Sequence, residues 1–230
     1  LVPPAQFIRS TCEIFQGTWA PHIPLLIASK GIENESALLM SDVVREYFPD
    51  NPVLILSGPS FANDVAKKLP TAVVLAAEEM VLAKKIANLL SSSHFRLYAS
   101  DDIIGAQVGG ACKNVIAIAC GIIAGQELGD NARAALVTRG LAEISRLGCA
   151  MGAQLETFLG LSGVGDVVLT SLSSQSRNQS FGFALGRGAP VEELLSNQKN
   201  LVEGVHTVSG VKLLAEKHQV DMPITLAVYE

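Results

Sequence analysis

Lys113 stands alone in the least polar stretch of this chain. From Gly105 to Gly125 the sequence reads GAQVGGACKNVIAIACGIIAG, and Lys113 is its only charge. Lysine is almost never fully buried unless something pairs with it. At about 100° per residue, a helix here puts Ala106, Gly109, Gly110, Ala117, Cys120 and Ala124 on the lysine side. The bulkier Val108, Val115, Ile118 and Ile122 fall opposite. The lysine therefore faces a strip of small residues, where another backbone or a ligand can come close. Small residues at this spacing also suit a membrane helix. A mid-bilayer lysine, however, costs about 2.5–3.5 kcal/mol on insertion scales, which argues against membrane insertion. An ordinary core helix whose lysine snorkels outward is the remaining structural alternative.

The 230 residues suffice for one large or two modest domains. With 49% of residues hydrophobic, a sizeable core is available and disorder is disfavoured. The net charge of −5, with no basic cluster, argues against a nucleic-acid partner. No charged segment followed by a cleavable apolar stretch opens the chain, so no secretory signal is read. Cys12, Cys112, Cys120 and Cys149 form no C-x-x-C pair. On one helix Cys112 and Cys120 would lie about 12 Å apart, too far for a bridge. Four reduced cysteines imply a reducing, cytoplasmic setting. The spacing fits no structural zinc site, so no metal is expected. His22, His94, His206 and His218 are scattered and are read as surface or structural residues.

The first hundred residues alternate strand-like and helix-like segments. Leu25–Ala28, Val53–Leu56, Ala72–Ala76 and Phe95–Tyr98 are short apolar runs read as strands. Helical spacing separates them over Ser36–Phe48, Phe61–Leu69 and Glu79–Leu90, the last with Met80, Ala83, Ile86 or Ala87, and Leu90 on one face. This order predicts a parallel or mixed sheet covered on both sides. From about Gly105 the strands stop. Asp130 is placed as the N-cap of a helix reaching Leu147, with Gly148 ending it. Leu136, Val137, Leu141, Ile144 and Leu147 supply its apolar face. Further helices are expected from about Asp166, from Ser180, and over Thr207–His218. The fold class is α/β: a partial Rossmann-like sheet domain over 1–102, then an all-helical substrate domain over 103–230. No G-x-G-x-x-G occurs, and Gly160, Gly163 and Gly165 show that spacing only in reverse. If the sheet domain is doubly wound, its first strands and phosphate-binding turn are missing from this sequence.

Short motifs then fall at element ends. Ser29-Lys30-Gly31 lies past the first strand, where open α/β sheets bind ligands, though it also suits a plain polar exit. Ser57-Gly58-Pro59-Ser60 follows the second; its glycine permits close backbone approach, and Ser60 can cap the next helix. Gly163-Val164-Gly165-Asp166 presents a carboxylate after a flexible turn, a place where Asp is equally at home as a cap. Ser176-Arg177-Asn178 groups a hydroxyl, a guanidinium fork and an amide, a set suited to phosphate and also common in solvated loops.

Taken in order, SKGI, SGPSFA, GACKN, GVGD, QSRN and VEG resemble the bacterial NAD(P)-dependent glycerol-3-phosphate dehydrogenase family. The stretch GDNARAALVTRGLAEISRLG, residues 129–148, is similar to that family almost throughout. The resemblance runs from about Ile23 onward. It implies reduction of dihydroxyacetone phosphate to sn-glycerol 3-phosphate for phospholipid synthesis, with NADP or NAD as cofactor and a homodimer as the common assembly. By the same resemblance Lys113 is the catalytic lysine, with Asn114 its neighbour and Asp166 and Thr170 in its network. Lys30 lies near nicotinamide and substrate; Gly58 and Ser60 take substrate positions and Ala62 a cofactor position. Ser176, Arg177 and Asn178 form the substrate-phosphate site, with Arg177 also near the cofactor. Leu201 and Glu203 take cofactor positions, Leu201 standing where the family has valine.

These residue types suit carbonyl reduction, in which a lysine polarises the carbonyl and protonates the developing alkoxide. Two further readings stay open. One is a related hydroxy-acid or keto-acid dehydrogenase, for which the QSRN phosphate cluster would have no purpose. The other is a truncated, catalytically silent assembly module, suggested by the absent glycine-rich fingerprint.

Overall fold

A computed structural model describes residues 1–196 and 202–230. Four strands form one sheet in the order β1 (Leu25–Ile27), β2 (Val53–Ser57), β3 (Thr71–Ala77) and β4 (Phe95–Ser100). β1 and β2 are parallel with Leu25 opposite Val53, β2 and β3 antiparallel with Leu54 opposite Ala77, and β3 and β4 parallel with Thr71 opposite Phe95. The sheet is therefore mixed. α1 (Ile8–Phe15) precedes it, α2 (Met40–Tyr47) links β1 to β2, α3 (Ala62–Ala66) follows β2, and α4 (Met80–Leu90) links β3 to β4.

Strand pleating sorts neighbouring residues to opposite faces. Ile27, Ile55 and Ala76 pack with Ile8, Met40, Val43 and Val44 on one face. Leu54, Val73 and Leu75 pack with Ala83 and Ala87 of α4 on the other. Two-sided burial explains why these strands read as continuous apolar runs. Leu90, placed with the buried face of α4, is instead exposed at the helix end. α2 begins at Met40 rather than Ser36, because residues 33–39 close a turn with Glu33 N–H donating to the Leu38 carbonyl and Ala37 N–H to the Glu33 carbonyl.

The rest is helical: α5 (Ile103–Gly125), α6 (Gly129–Ala150), α7 (Leu155–Phe158), α8 (Asp166–Leu172), α9 (Arg177–Gly186), α10 (Val191–Ser196), α11 (Glu203–Lys217) and α12 (Pro223–Tyr229). α5 is long and apolar enough to cross a membrane by length and composition, yet here it is the buried central helix of the fold. Asp102 caps it, accepting from Gly105 N–H at 2.7 Å, and also accepts from Gln154 N–H and Thr157 Oγ1. Val108, Val115 and Ile116 of α5 share a core with Ile144 and Leu147 of α6 and Val211 and Leu214 of α11, and Leu136, Val137 and Leu141 pack against it.

Four expected helix ends move, among them the start of α11, which lies at Glu203 rather than Thr207. Gly129 has φ +85°, and the helix starts there; Asp130 makes no cap bond and pairs with Arg133 instead. Gly148 does not end α6. It is the flat spot on which the Phe158 ring lies, and α6 continues to Ala150, with Gly152 at φ +97° just beyond. α9 starts at Arg177 rather than Ser180, which puts the QSRN stretch at a helix N-terminus.

Candidate active site

β1 and β2 are parallel, so their C-terminal ends open at the same edge and bring two separate turns together. Lys30 leaves β1 and Gly58 leaves β2. Gly58 has φ +131°, where a side chain is strained, and a Cβ there would stand 3.1 Å from the Val73 backbone. Its carbonyl receives Lys30 Nζ at 3.0 Å. Ser60 does not cap α3: Phe61 occupies the cap position, and Ser60 Oγ turns back to the Gly58 carbonyl at 3.2 Å.

From the other side α5 presents Lys113. Gly109, one turn earlier, has no room for a side chain because the Ser162 carbonyl oxygen lies where a Cβ would stand. This close approach seats the π-type turn Leu161–Gly165 on α5 and delivers Asp166, the first residue of α8, beneath the lysine. Asp166 is not a helix cap. Its side chain is 1% exposed and spans two lysines: Lys113 Nζ donates to Oδ1 and Lys30 Nζ to Oδ2, each at 2.6 Å. Lys113 Nζ also donates to Thr170 Oγ1 at 3.0 Å. An ammonium has three N–H donors, so each lysine retains one beyond those two contacts. Burial lowers the pKa of Lys113, the neighbouring Lys30 charge lowers it further, and Asp166 opposes both, leaving it at about 8.

The third contributor is the start of α9. Ser176 caps it, its Oγ accepting from Gln179 N–H at 3.2 Å. A serine hydroxyl so used still has its O–H to donate. Asn178 is braced on both sides of its amide: Nδ2 donates to Asn114 Oδ1 at 3.0 Å and Oδ1 accepts from Gly204 N–H at 2.9 Å. Arg177 is exposed at the rim. Glu203 opens α11, and burial raises its carboxyl pKa, with Arg177, Lys113 and Lys30 partly opposing. Asn114 Nδ2 reaches its Oε2 only at 3.5 Å.

These groups line one cleft of about 350 Å³. Lys30, Ser60, Lys113, Asn114, Thr170, Ser176, Arg177, Asn178 and Glu203 meet there although they come from both ends of the chain. Asp166 sits behind the wall, and Gly58 acts through its carbonyl. Ala62, exposed in the first turn of α3, is not part of the lining. Leu201 lies outside the described residues. Ala28, Phe61 and Gln175 also line the cleft; Phe61 and Gln175 belong to the SGPSFA and QSRN motifs without an assigned role, and Ala28 directly precedes SKGI. Among the described residues no group of His, Cys, Asp and Glu could hold a metal ion. The four cysteines are free; burial pushes the Cys112 thiol up to about 12 and Cys120 to about 11, so neither is a ready nucleophile.

The arrangement offers a buried ammonium beside a carboxylate, with the N-terminus of α9 and its Ser176, Arg177 and Asn178 side chains in the same cleft. Residues 102–230 match the family described as NAD-dependent glycerol-3-phosphate dehydrogenase C-terminus, and residues 1–83 match its N-terminus. The chain is 49% identical over 229 residues to glycerol-3-phosphate dehydrogenase (NAD(P)+) of Rhodospirillum rubrum, covering 100% of this chain and 66% of that protein. It is 48% identical over 228 residues to the Parvibaculum lavamentivorans protein of the same name, covering 99% and 68%. The crystal structure of glycerol-3-phosphate dehydrogenase from Coxiella burnetii superposes with a TM-score of 0.95 at 38% identity, covering 99% of this chain and 70% of that one. The chain thus spans about two thirds of the length of the curated relatives it matches.

Proposed function

The chain belongs to the NAD-dependent glycerol-3-phosphate dehydrogenase family, and from that premise we propose that the whole protein interconverts dihydroxyacetone phosphate and sn-glycerol 3-phosphate with NADP or NAD. The observation that carries this reading is the Lys113–Asp166–Lys30 bridge sharing one cleft with the start of α9. A substrate with a carbonyl to be reduced and a phosphate to be held needs both features in one site.

Lys113 is the proton donor in reduction and the acceptor in oxidation. Two of its N–H groups are committed to Asp166 and Thr170, which leaves the third for the substrate oxygen. A pKa of about 8 leaves it mostly protonated at neutral pH yet able to release the proton. Asp166 holds both ammonium groups in place. The two lysines and one aspartate leave a net positive charge, which favours oxygen becoming alkoxide. Arg177, Asn178 and the Ser176 hydroxyl take the substrate phosphate, with the α9 N-terminus adding its dipole. Holding the phosphate fixes the carbonyl relative to Lys113.

The cofactor supplies or accepts the hydride. Lys30, Ala62, Arg177, Glu203 and Leu201 are the residues assigned to hold it. The chemistry fits, since the Glu203 carboxyl has only a 3.5 Å partner in Asn114 and so has lone pairs left for an amide N–H. We divide the chain into a sheet domain over 1–102 and a helical domain over 103–230, on the grounds that β4 ends at Ser100 and α5 begins at Ile103. Four free cysteines support a cytoplasmic location. A homodimer rests on the family resemblance. Following nicotinamide absorbance with full-length protein tests the activity. Turnover of dihydroxyacetone phosphate with NADPH or NADH supports it. Preference for an unphosphorylated keto-acid would favour a related dehydrogenase, and no turnover a silent module.

A further inference from the structure

The loop after β1 carries Lys30, and the opening segment of the chain grips that loop at successive points. Ser29 Oγ donates to the Pro3 carbonyl. Gly31 lies against Ala5, where an added Cβ would overlap the Ala5 methyl. The Gln6 side chain then brackets the loop backbone. Its Nε2 donates to the Ile32 carbonyl at 2.7 Å, and its Oε1 accepts from Asn34 N–H at 3.1 Å. Arg9 closes the set with a two-pronged contact on Glu33, Nε to Oε1 and Nη2 to Oε2, both at 2.8 Å. Its Nη1 continues to Glu46 and Tyr47 of α2.

Leu1 pairs with Leu26 of β1 and with Ala28, but the Gln6 and Arg9 contacts fall on residues 32–34, beyond the strand. If their purpose were only to hold α1 on the sheet, the strand and the apolar face of α1 would serve, and Ile8 and Cys12 already do so. Ile32 anchors the far end of the loop, fully buried and bridged to Leu39, whereas Ser29 and Lys30 on the near side are only partly buried. Lys30 Nζ must meet Asp166 at 2.6 Å and the Gly58 carbonyl at 3.0 Å together, so the position of the loop backbone decides whether the stem can satisfy both. Displacements of about 1 Å in a site can cost 100-fold in rate.

We propose that Gln6 and Arg9 are positioning residues: they set the Lys30 loop and thereby place the Lys30 ammonium on Asp166. The kinetic part of this proposal rests on the function proposed above; the structural part does not. Gln6→Leu removes both backbone contacts at similar volume. Arg9→Lys keeps the charge and loses the fork.

The experiment uses full-length protein and an amine-reactive ester, with labelling at each lysine read by peptide mass mapping. Lys30 should label several-fold faster in Gln6→Leu and in Arg9→Lys, while the exposed Lys84 and Lys85 stay unchanged as internal references. A double-mutant cycle supplies the second readout. Gln6→Leu should lower kcat/KM for dihydroxyacetone phosphate about tenfold in the wild-type background and have little effect in a Lys30→Met background. Unchanged Lys30 labelling in both variants, or an equal fold-loss with and without Lys30, overturns the proposal and leaves a purely structural clamp. If Gln6→Leu does not fold, Arg9→Lys carries both readouts. If wild type turns over no dihydroxyacetone phosphate, the proposed function fails, and the labelling result still decides the positioning claim.

Discussion

Lys113 keeps one N–H uncommitted, and its proton is held at a pKa of about 8. Reduction needs that proton, so kcat/KM for dihydroxyacetone phosphate should fall as pH rises through about 8. Oxidation needs the neutral amine, so kcat/KM for sn-glycerol 3-phosphate should rise through the same region. Paired pH–rate profiles check this, and limbs that run in the same sense in both directions would contradict it. Asp166→Asn removes the opposite charge and leaves two lysines facing each other, so both limbs should move to lower pH. Lys113→Ala should lower kcat at least about 100-fold, the scale of losing one preorganised donor; near-normal turnover would remove the lysine from the chemistry.

Helix packing decides where these residues sit. Gly109 lets α5 touch the turn that leads into Asp166. Gly109→Ala should therefore destabilise the protein by about 1–3 kcal/mol, as overpacking does, measurable by urea unfolding. Turnover should fall with it, because the turn that moves carries the carboxylate. At the start of α9, Arg177→Lys keeps a charge but not a fork. It should raise KM for dihydroxyacetone phosphate and leave unphosphorylated dihydroxyacetone almost unaffected. An equal loss on both substrates would show that Arg177 does not hold the phosphate.

Across the whole molecule the same buried lysine links stability to pH. Its folded pKa of about 8 lies below the ordinary 10.5, so the unfolded chain binds more protons between those values. Stability should therefore rise with pH through that window, relative to Lys113→Met, which lacks the titration; thermal melts of both proteins at several pH values check the sign. Much of the architecture was already determined by the residues. Continuous apolar runs at Val53–Leu56 and Ala72–Ala76 require a sheet covered on two sides, and a lone lysine in a long apolar helix requires a partner. The motifs also pointed to Asp166 as that partner through family likeness. Local pattern could not show that Lys30 shares the same carboxylate from 136 residues away, because that depends on parallel pairing of β1 with β2 and on α5 packing against the turn before α8. Nor could it place helix ends such as Gly148, where propensity says stop and the Phe158 ring, arriving from α7, makes glycine a packing surface inside a continuing helix. The same holds for Gln6 and Arg9, ordinary polar residues in the sequence whose partners are a loop folded back over them. Periodicity and composition act over a few neighbouring residues, whereas the charges in the cleft are paired by tertiary contacts that bring distant segments within hydrogen-bond reach.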